Sequence, residues 1–324
     1  MADFRKPDMP AAATKGEESE LAGHRMAIDA LDREILASLN ARAKHAQAIG
    51  ALKEGSAAYR PEREAQVIAR LAAANAGPLS NAAVTGVFRE IMSACLALEQ
   101  KLSIAYLGPA GTFSHAAVAK HFGSFVDTTP YATIDEIFRA VESSQTDYAV
   151  VPVENSTEGA VGRTLDLMCT TDLSVCGEVK LRIQQNLLSN ARALSDVTRI
   201  YSHAQSLAQC VHWLATHAPS VPRIAVSSNA EAARLAAEEP GAAAIAGENA
   251  AAIYGLSTLA PHIEDEPNNT TRFWVLGRQH VGASGRDETS LVMSCPNRPR
   301  RRAAHAARAP ATPGRSRFRE RASR

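Results

Sequence analysis

The sequence has few aromatic residues, few cysteines and no long apolar run. Aromatic residues make up 5% of the 324 positions against 45% apolar residues, so the cores consist mainly of small and aliphatic side chains. The five cysteines form no CxxC pair and no spacing typical of a metal site. An odd, scattered set of this kind fits a reducing cytosol and argues against a disulfide framework. No run reaches the roughly 18 apolar residues of a membrane span, and residues 1–20 lack the apolar core of a signal peptide. We therefore expect a cytoplasmic protein without metal, other cofactor or membrane contact.

Charge is distributed unevenly along the chain. The formal net charge is +1, but residues 298–324 contain ten Arg and a single acidic residue. The tail therefore has a net charge of +9 and the rest of the chain a net charge of −8. The body offers no basic stripe, so we expect no nucleic-acid partner.

The first hundred residues predict an all-α domain. Residues 1–18 are charged and rich in Ala and Pro, which is typical of a disordered tail. Apolar residues at three- and four-residue spacing then predict one long helix that ends near Gly55. A second helix begins at Pro61 and a third runs from Ser80 or Asn81 to Gln100. The domain spans 19–100. Its long first helix has nothing in its own chain to pack against over its full length, which predicts a dimer.

From residue 101 strands alternate with helices up to about residue 280. This alternation predicts an α/β domain over 101–280 with a largely parallel sheet. The segment 184–186 and the loop before Thr271 are interpreted as two passes between lobes.

Two polar segments follow apolar strands of this domain. Residues 152–156 have the sequence PVENS, and residues 264–273 form a polar loop that ends in Thr271-Arg272-Phe273. Hydroxyl, amide, carboxylate and guanidinium groups at two strand ends are what a site for a small anionic molecule needs. A Gly-rich turn at 108–111 precedes a helix, whose backbone N–H groups can hold a carboxylate.

Together with 107–115 (LGPAGTFSH) and 202–210 (SHAQSLAQC), these segments resemble, in order, the motifs of the prephenate dehydratase family. The resemblance implies a two-lobed, periplasmic-binding-protein-like fold with the substrate in the cleft. It implies loss of carbon dioxide and water from prephenate to give phenylpyruvate, with Thr271 as donor to the leaving hydroxyl. The implied catalytic residues are Thr271, Glu154 (a proton source) and Asn155, and the implied substrate-binding residues are Thr112, Ser114, Ser156, Ser202, Gln209 and Arg272.

Basic residues on the first helix are spaced for an anion but too far apart for one site in one chain. Arg42 and Lys53 are 11 residues apart, roughly 16 Å, and share a face that can straddle a dianion. Arg25 is 28 residues from Lys53, roughly 42 Å, so a shared site needs Arg25 from a second chain. The alternative is a solvated basic face.

The binding set of the all-helical chorismate mutases is similar to a set of residues in this sequence: Arg25, Arg42, Lys53, Arg63, Glu64, Cys95 and Glu99. In that family two chains interlock, and each site contains one Arg from the partner chain. The resemblance implies Lys53 and Glu99 as donors to the ether oxygen, and Glu99 donates only when protonated. The implied substrate-binding residues are Arg25, Arg42, Arg63, Glu64 and Cys95. Together the two resemblances imply the bifunctional chorismate mutase/prephenate dehydratase family of phenylalanine biosynthesis, with chorismate and prephenate as substrates and a homodimer as the assembly.

The C-terminal part, 281–324, is expected to be an incomplete domain. Residues 287–294 (DETSLVMS) resemble the first strand of an ACT domain, but after Pro299 Arg, Ala and Pro replace any periodic pattern. A shifted reading frame and a divergent natural tail both explain this, and either leads us to expect a disordered basic tail. We expect no inhibition by phenylalanine.

Two other functions remain open at this stage. A two-lobed α/β unit with Ser, Thr and Arg at its cleft also suits an amino-acid-binding protein, although the fused helices count against it. The helical part can also serve only for dimerisation of a dehydratase.

Overall fold

The computed structural model describes residues 15–52, 59–285 and 287–289, with side chains from residue 18 onward. The chain divides into two compact units, Met1–Ser56 and Ala57–Arg324. In the first unit, helix α1 spans Lys15–Leu52, 38 residues without a proline, which is about 57 Å. The long first helix is confirmed. Its predicted end near Gly55 lies outside the described residues, as do residues 1–14 of the predicted tail, most of the ACT-like segment and the predicted basic tail 300–324. Helix α1 already includes residues 15–18, so the prediction of a disordered tail over 1–18 is wrong for these four residues.

Many large apolar side chains of α1 are exposed in the single chain. Met26 is 67% exposed, and the other members of the row are about half exposed. They are Leu21, Ile28, Leu31, Ile35, Leu36 and Ile49. An apolar row of this kind on a helix is a surface that contact with another protein would bury.

The second unit opens with the two further helices that the sequence predicts. Helix α2 spans Pro61–Ala74 and α3 spans Asn81–Ala97. Proline suits the first helical position because its fixed φ matches a helix and its missing N–H is not needed there. Ser80 caps α3, since its Oγ accepts from the Ala83 N–H at 3.2 Å.

The start of α2 and the end of α3 pack onto the α/β part of the same unit. The Tyr59 ring is 5% exposed and lies 5.3 Å from the Phe122 ring and 5.4 Å from the Tyr148 ring. Ser93 Oγ accepts from the Phe125 N–H at 3.2 Å. The boundary that we place at residue 100 from sequence therefore falls inside one compact unit.

The first lobe is a mixed sheet with helices on both faces. Its strands span Ser103–Leu107 (β1), Asp127–Tyr131 (β2), Tyr148–Asn155 (β3), Gly159–Ala160 (β4), Ser174–Arg182 (β5) and Thr270–Gly277 (β11). Its helices span Phe113–Phe122 (α4), Ile134–Glu142 (α5) and Gly162–Met168 (α6). The order is β2-β1-β3-β11-β5, with β4 beside β3. Helix α4 packs on the face that carries Val150 and Val275, and α5 and α6 pack on the face that carries Val151 and Trp274.

The second lobe has its own five-stranded sheet, ordered β10-β6-β9-β7-β8. Its strands span Asn186–Ser189 (β6), Arg199–His203 (β7), Arg223–Val226 (β8), Ala242–Ala246 (β9) and Ser257–Ala260 (β10). Its helices span Ala204–Ala208 (α7), Val211–His217 (α8), Asn229–Glu238 (α9) and Glu248–Tyr254 (α10). Strand β9 is buried throughout, and its small side chains pack against the alanines of α9.

The chain crosses between the lobes twice, at 183–185 and at 261–269, where the sequence places the passes. Strand β11 returns to the first lobe and lies antiparallel between β3 and β5. Strand β6 is antiparallel to both of its neighbours. The prediction of a largely parallel sheet is therefore wrong at these strands, and β4, β6, β7 and β10 were not predicted. Strands of two to five residues give a periodic pattern few positions in which to show itself, so only some of the short strands are recognised from sequence.

Candidate active sites

The two polar segments of the first lobe meet at Thr271. Antiparallel pairing of β11 with β3 places Thr271 directly opposite Asn155. Asn155 Nδ2 donates to Thr271 Oγ1 at 2.8 Å and to Asn269 Oδ1 at 3.0 Å. Thr271 is 9% exposed and Asn269 is 3% exposed. Ser156, which is exposed, donates through Oγ to Asn269 Oδ1 at 3.3 Å and accepts from the Thr270 N–H.

Arg272 lies on the opposite face of the sheet from Thr271, because successive residues of a strand point to opposite faces. Its guanidinium donates to Glu154 Oε2 at 2.6 Å and to Glu178 Oε2 at 2.5 Å. Three strands, β3, β11 and β5, are thus joined by ion pairs next to the site. The geometry separates Glu154 and Arg272 from the Thr271 hydroxyl, so it does not bring the expected proton source and the expected donor together.

The ion pairs favour the charged forms of Arg272 and Glu178. Hydrogen bonds to Glu178 and Glu154 raise the pKa of Arg272 against the opposing effect of burial. Burial raises the pKa of Glu178, but hydrogen bonds from Arg272 and Lys180 outweigh it and leave the pKa lowered. A charged cluster with this pairing holds the strand ends together.

Thr112 begins α4 and its hydroxyl is used within the Gly-rich turn. Its Oγ1 donates to the Leu107 carbonyl at 3.0 Å and accepts from the His115 N–H at 3.4 Å. Ser114, in the first turn of α4, is 7% exposed. The turn is therefore built as a helix start, with Thr112 as its cap.

The Gly-rich turn also touches the second lobe. Tyr254 Oη in α10 donates to the Ala110 carbonyl at 2.9 Å. Gly111 has a φ of 91°, and a Cβ there would lie 3.1 Å from the Tyr254 ring. A Cβ at Gly247 would lie 2.8 Å from the Phe113 ring. Only glycine permits these close approaches, so the two lobes contact each other beside the turn.

A cleft of about 450 Å³ opens between the lobes beside this contact. Leu181, on its wall, lies directly opposite Thr271 in the pairing of β5 with β11, so the cleft borders the Thr271 face. The lining residues are Gly111, Thr112, Phe113, Ala116, Leu181, Arg182, Gln184, Gly247, Glu248, Asn249 and Ala252. A depression of about 580 Å³ over α5 contains none of the predicted site residues.

Ser202 in the second lobe is completely buried. Its Oγ lies 3.0 Å from the Ile245 carbonyl oxygen and 3.1 Å from Asn229 Oδ1. The Asn229 amide in turn donates to Ser206 Oγ at 2.8 Å. This geometry gives Ser202 a role in holding Asn229, at the start of α9, rather than direct contact with a ligand.

Gln209 is held from the first of the two passes between lobes. Gln185, 1% exposed, donates through Nε2 to Gln209 Oε1 at 3.2 Å and to Ser206 Oγ at 3.0 Å. Because Gln185 occupies the Gln209 side-chain oxygen, the amide N–H groups are what Gln209 can offer to a ligand. Sequence analysis missed Gln185, Ser206 and Asn229 as site residues. The one sequence feature that could have indicated Gln185 is its position in a predicted pass between the lobes.

The histidines and the cysteine near the motifs have structural partners. His115 stacks on Tyr106 at 4.8 Å between ring centroids, and burial lowers its pKa. His203 begins α7, where its Nδ1 accepts from the Gln205 N–H at 3.4 Å. Cys210 is fully buried, which raises its pKa to about 12, with smaller contributions from nearby carboxylates. The arrangement assigns none of the three as a general base.

The residues of the predicted mutase set fall in both units. Arg25 and Arg42 lie on α1, and Lys53 lies outside the described residues. Arg63 and Glu64 lie in the first turn of α2, Cys95 is buried in α3, and Glu99 follows α3.

Glu64 has a partner within its own unit. Its Oε1 lies 3.5 Å from Arg89 Nε, an ion pair too long for a strong hydrogen bond. Burial raises the pKa of Glu64 more than Arg89 lowers it.

Across the described residues, no group of three His, Cys, Asp or Glu side chains could hold a metal ion. No helix in that part of the chain is long and apolar enough to cross a membrane.

Comparison with known proteins identifies both parts of the chain. The family model for prephenate dehydratase matches residues 104–281, and the model for type II chorismate mutase matches residues 24–100. The bifunctional chorismate mutase/prephenate dehydratase of Neisseria gonorrhoeae is 58% identical over 278 residues, which cover 85% of this chain and 77% of that protein. The Pseudomonas aeruginosa protein of the same name is 52% identical over 291 residues, which cover 87% and 80%.

A solved structure shares the fold of the α/β part. It is a prephenate dehydratase from Arthrobacter aurescens in complex with L-Phe, 33% identical, with a TM-score of 0.52. The match covers 56% of this chain and 61% of that one, which is less than two thirds of its length. With both family models matched in order and a relative above half identity over most of its length, this chain belongs to the bifunctional chorismate mutase/prephenate dehydratase family.

Proposed function

We propose that this chain rearranges chorismate to prephenate and then decarboxylates and dehydrates prephenate to phenylpyruvate, two consecutive steps of phenylalanine biosynthesis. The observation that carries the dehydratase half is the 2.8 Å hydrogen bond between Asn155 Nδ2 and Thr271 Oγ1 beside the cleft. The four described cysteines are free, which supports a reducing compartment such as the cytoplasm.

In the dehydratase reaction the bond from the ring to its carboxylate breaks, and carbon dioxide leaves. The electron pair enters the ring, the C4–O bond breaks, and the leaving oxygen takes up a proton that ultimately comes from water. Loss of hydroxide is the difficult part, so a donor at that oxygen lowers the barrier. Thr271 supplies the donor, Asn155 orients it, and Gln209 presents N–H groups to the substrate.

The other residues predicted for the dehydratase site mainly stabilise the structure around Thr271 and the cleft. Arg272 and Glu154 hold the strand ends that carry the site, and Ser202 holds the start of α9. Thr112 and Ser114 shape the helix start that faces a substrate carboxylate. Ser156 steadies the loop before Thr271.

The mutase half needs no covalent catalyst. Cations that fix the two carboxylates of chorismate select its compact conformer, and donors at the ether oxygen stabilise the charge that develops there. The proposed donors are Lys53 and Glu99, whose carboxyl group can donate only when it carries a proton. The proposed binding residues are Arg25, Arg42, Arg63, Glu64 and Cys95.

The mutase site requires a homodimer in this proposal. Arg25 lies 27 residues before Leu52, the last residue of α1, which is roughly 40 Å along the helix. Lys53 follows Leu52 directly in sequence, so a second chain must bring its Arg25 to the first chain's Lys53. The exposed apolar row of α1 supports such a partner, since a second helix would bury it.

The test of the dimer is complementation. Arg25→Ala and Lys53→Ala should each abolish mutase activity, and mixing the two proteins should restore part of it in heterodimers. Heterodimers that are shown to form but recover no activity would contradict the shared site.

The test of the whole function is to supply chorismate and follow both its loss and the absorbance of phenylpyruvate in alkali. The proposal predicts both signals. An amino-acid-binding protein gives neither, and a dehydratase with helices for dimerisation alone forms phenylpyruvate from prephenate but does not consume chorismate.

A further inference from the structure

The orientation of the Asn155 side-chain amide is determined by its neighbours. Its Oδ1 accepts from the Thr157 N–H at 3.0 Å, from Thr157 Oγ1 at 2.5 Å and from the Glu158 N–H at 3.3 Å. Backbone N–H groups can only donate, so the oxygen of the amide must face them. The Nδ2 group consequently faces Thr271 and Asn269, to which it donates both of its hydrogens.

This orientation determines what the Thr271 hydroxyl can do. An amide nitrogen does not accept hydrogen bonds, so Thr271 Oγ1 accepts from Asn155 and its own proton points elsewhere. No acceptor for that proton occurs among the residues that the structure describes. The hydroxyl is left as a donor on the sheet face that borders the cleft.

Asn269 holds the Asn155 amide from the other side. It lies two residues before Thr271, is 3% exposed, and its Oδ1 accepts from Asn155 Nδ2 at 3.0 Å and from Ser156 Oγ at 3.3 Å. Its backbone carbonyl accepts from the Ile183 N–H at 2.8 Å, which ties it to the first pass between lobes. Buried polar groups with several partners of this kind fix one side-chain geometry.

We propose that Asn269 is a positioning residue of the dehydratase: it holds the Asn155 amide so that the Thr271 hydroxyl donates its proton towards the leaving oxygen of the substrate. The inference rests on the proposed role of Thr271 in dehydration. Asn269 itself need not touch the substrate.

Removal of the Asn269 acceptor should disorient this chain of hydrogen bonds. In Asn269→Ala the oxygen of the Asn155 amide is still held by the Thr157 and Glu158 N–H groups, but Nδ2 loses one of its two acceptors. The amide plane can then tilt, so Asn155 no longer holds the Thr271 hydroxyl in the orientation that directs its proton to the substrate. We expect the kcat for prephenate to fall about 10- to 100-fold, with KM changed less than about threefold. Asn269→Asp keeps an acceptor at the same place and should recover kcat to within about fivefold of wild type.

Asn186→Ala is the matched control. Asn186 is 4% exposed, and its amide accepts from the His262 N–H at 3.1 Å and donates to the Ala246 carbonyl at 3.5 Å. The control removes a similarly buried amide in the other lobe without contact with Thr271. Its kcat, corrected for the folded fraction, should stay within about twofold of wild type.

The deciding experiment places Asn269→Ala in wild type and in Thr271→Ala, and measures single-turnover conversion of prephenate by the full chain. We expect the large loss of rate in wild type and less than about a twofold further loss in the Thr271→Ala background, because the hydroxyl to be positioned is gone. Equal losses in both backgrounds, or no greater loss than in Asn186→Ala, would overturn the positioning role while leaving the proposed function intact. Wild-type activity in Thr271→Ala itself would instead overturn the proposed role of Thr271, and the inference with it.

Discussion

At the scale of single residues, strand alternation divides the Thr271-Arg272 pair between two tasks. Thr271 lies on the face of the sheet that carries Val275, and helix α4 packs on this face. Arg272 lies on the opposite face, which carries Trp274. The hydroxyl is thus next to the cleft, while the guanidinium pairs with Glu154 and Glu178. The residues are adjacent in sequence but differ in what their replacement should change.

Arg272→Met should affect stability more than chemistry. The substitution leaves Glu154 on β3 and Glu178 on β5, the two strands that flank β11, without their shared cation. We expect a loss of about 2 kcal/mol in the free energy of unfolding, measured with urea. The dehydratase kcat of the folded enzyme should fall less than about tenfold. Lys180→Met is the control, since Lys180 also pairs with Glu178 at 3.0 Å but is about half exposed, and it should cost less than about 1 kcal/mol. A loss of activity as large as that of Thr271→Ala at unchanged stability would place Arg272 in the reaction.

His121 should make stability depend on pH below neutrality. Burial, and to a smaller extent Arg89, lower its pKa to about 4, and its Nε2 bonds Tyr59 Oη at 3.1 Å. Between pH 6.5 and 4 the unfolded chain binds a proton at this histidine that the folded chain does not, so stability falls as pH falls. We expect this to cost at most about 2 kcal/mol between pH 7 and pH 5. In His121→Phe that part of the slope in urea unfolding should be absent; an unchanged slope would contradict the assignment.

Much of the dehydratase site can be predicted from the sequence at this scale, and part cannot. Polar residues after two apolar runs are enough to predict that Asn155 and Thr271 meet. Alternation along a strand also places Glu154 and Asn155 on opposite faces of the sheet, and likewise Thr271 and Arg272. The orientation of the Asn155 amide and the contribution of Asn269 could not be predicted, because they depend on backbone N–H groups of a turn whose geometry only the folded chain defines.

At the scale of elements, α2 and α3 pack against the first lobe of the α/β part within one compact unit. Tyr59 shares a core cluster with Leu102, Phe122 and Tyr148. Helix periodicity predicts α2 and α3 correctly, but it describes one helix at a time and cannot tell which neighbour covers the apolar face. The sequence therefore groups all three helices together, whereas the contacts group the last two with the first lobe.

Tyr59→Leu should accordingly weaken the dehydratase lobe. It removes an aromatic ring that is 5% exposed and contacts two others, and we expect a loss of about 2 to 3 kcal/mol in the free energy of unfolding. The loss of stability is measured by thermal unfolding of the full chain, with dehydratase activity as the signal for the folded state. Leu79→Ala, at a site 60% exposed between α2 and α3, is the control and should change stability by less than about 0.5 kcal/mol. A Tyr59 variant as stable as this control would contradict the shared core.

At the scale of the whole molecule, the dehydratase unit is two sheets joined by two passes, and the site residues gather at those passes. Gln185 in the first pass holds Gln209, and Asn269 in the second holds Asn155. The return of β11 from the second lobe brings Thr271 to Asn155. Sequence alternation predicts the passes but not the antiparallel insertion of β11, because that pairing joins segments more than a hundred residues apart.

The fate of chorismate supplied to Thr271→Ala distinguishes the two proposed active sites of the chain. The variant should consume chorismate at the wild-type rate and accumulate prephenate, while phenylpyruvate formation should fall by about 10²- to 10⁴-fold. Phenylpyruvate formed at the wild-type rate would show that Thr271 is not the donor. Equal loss of both activities would show a folding defect and would leave the separation of the two sites in one chain without support.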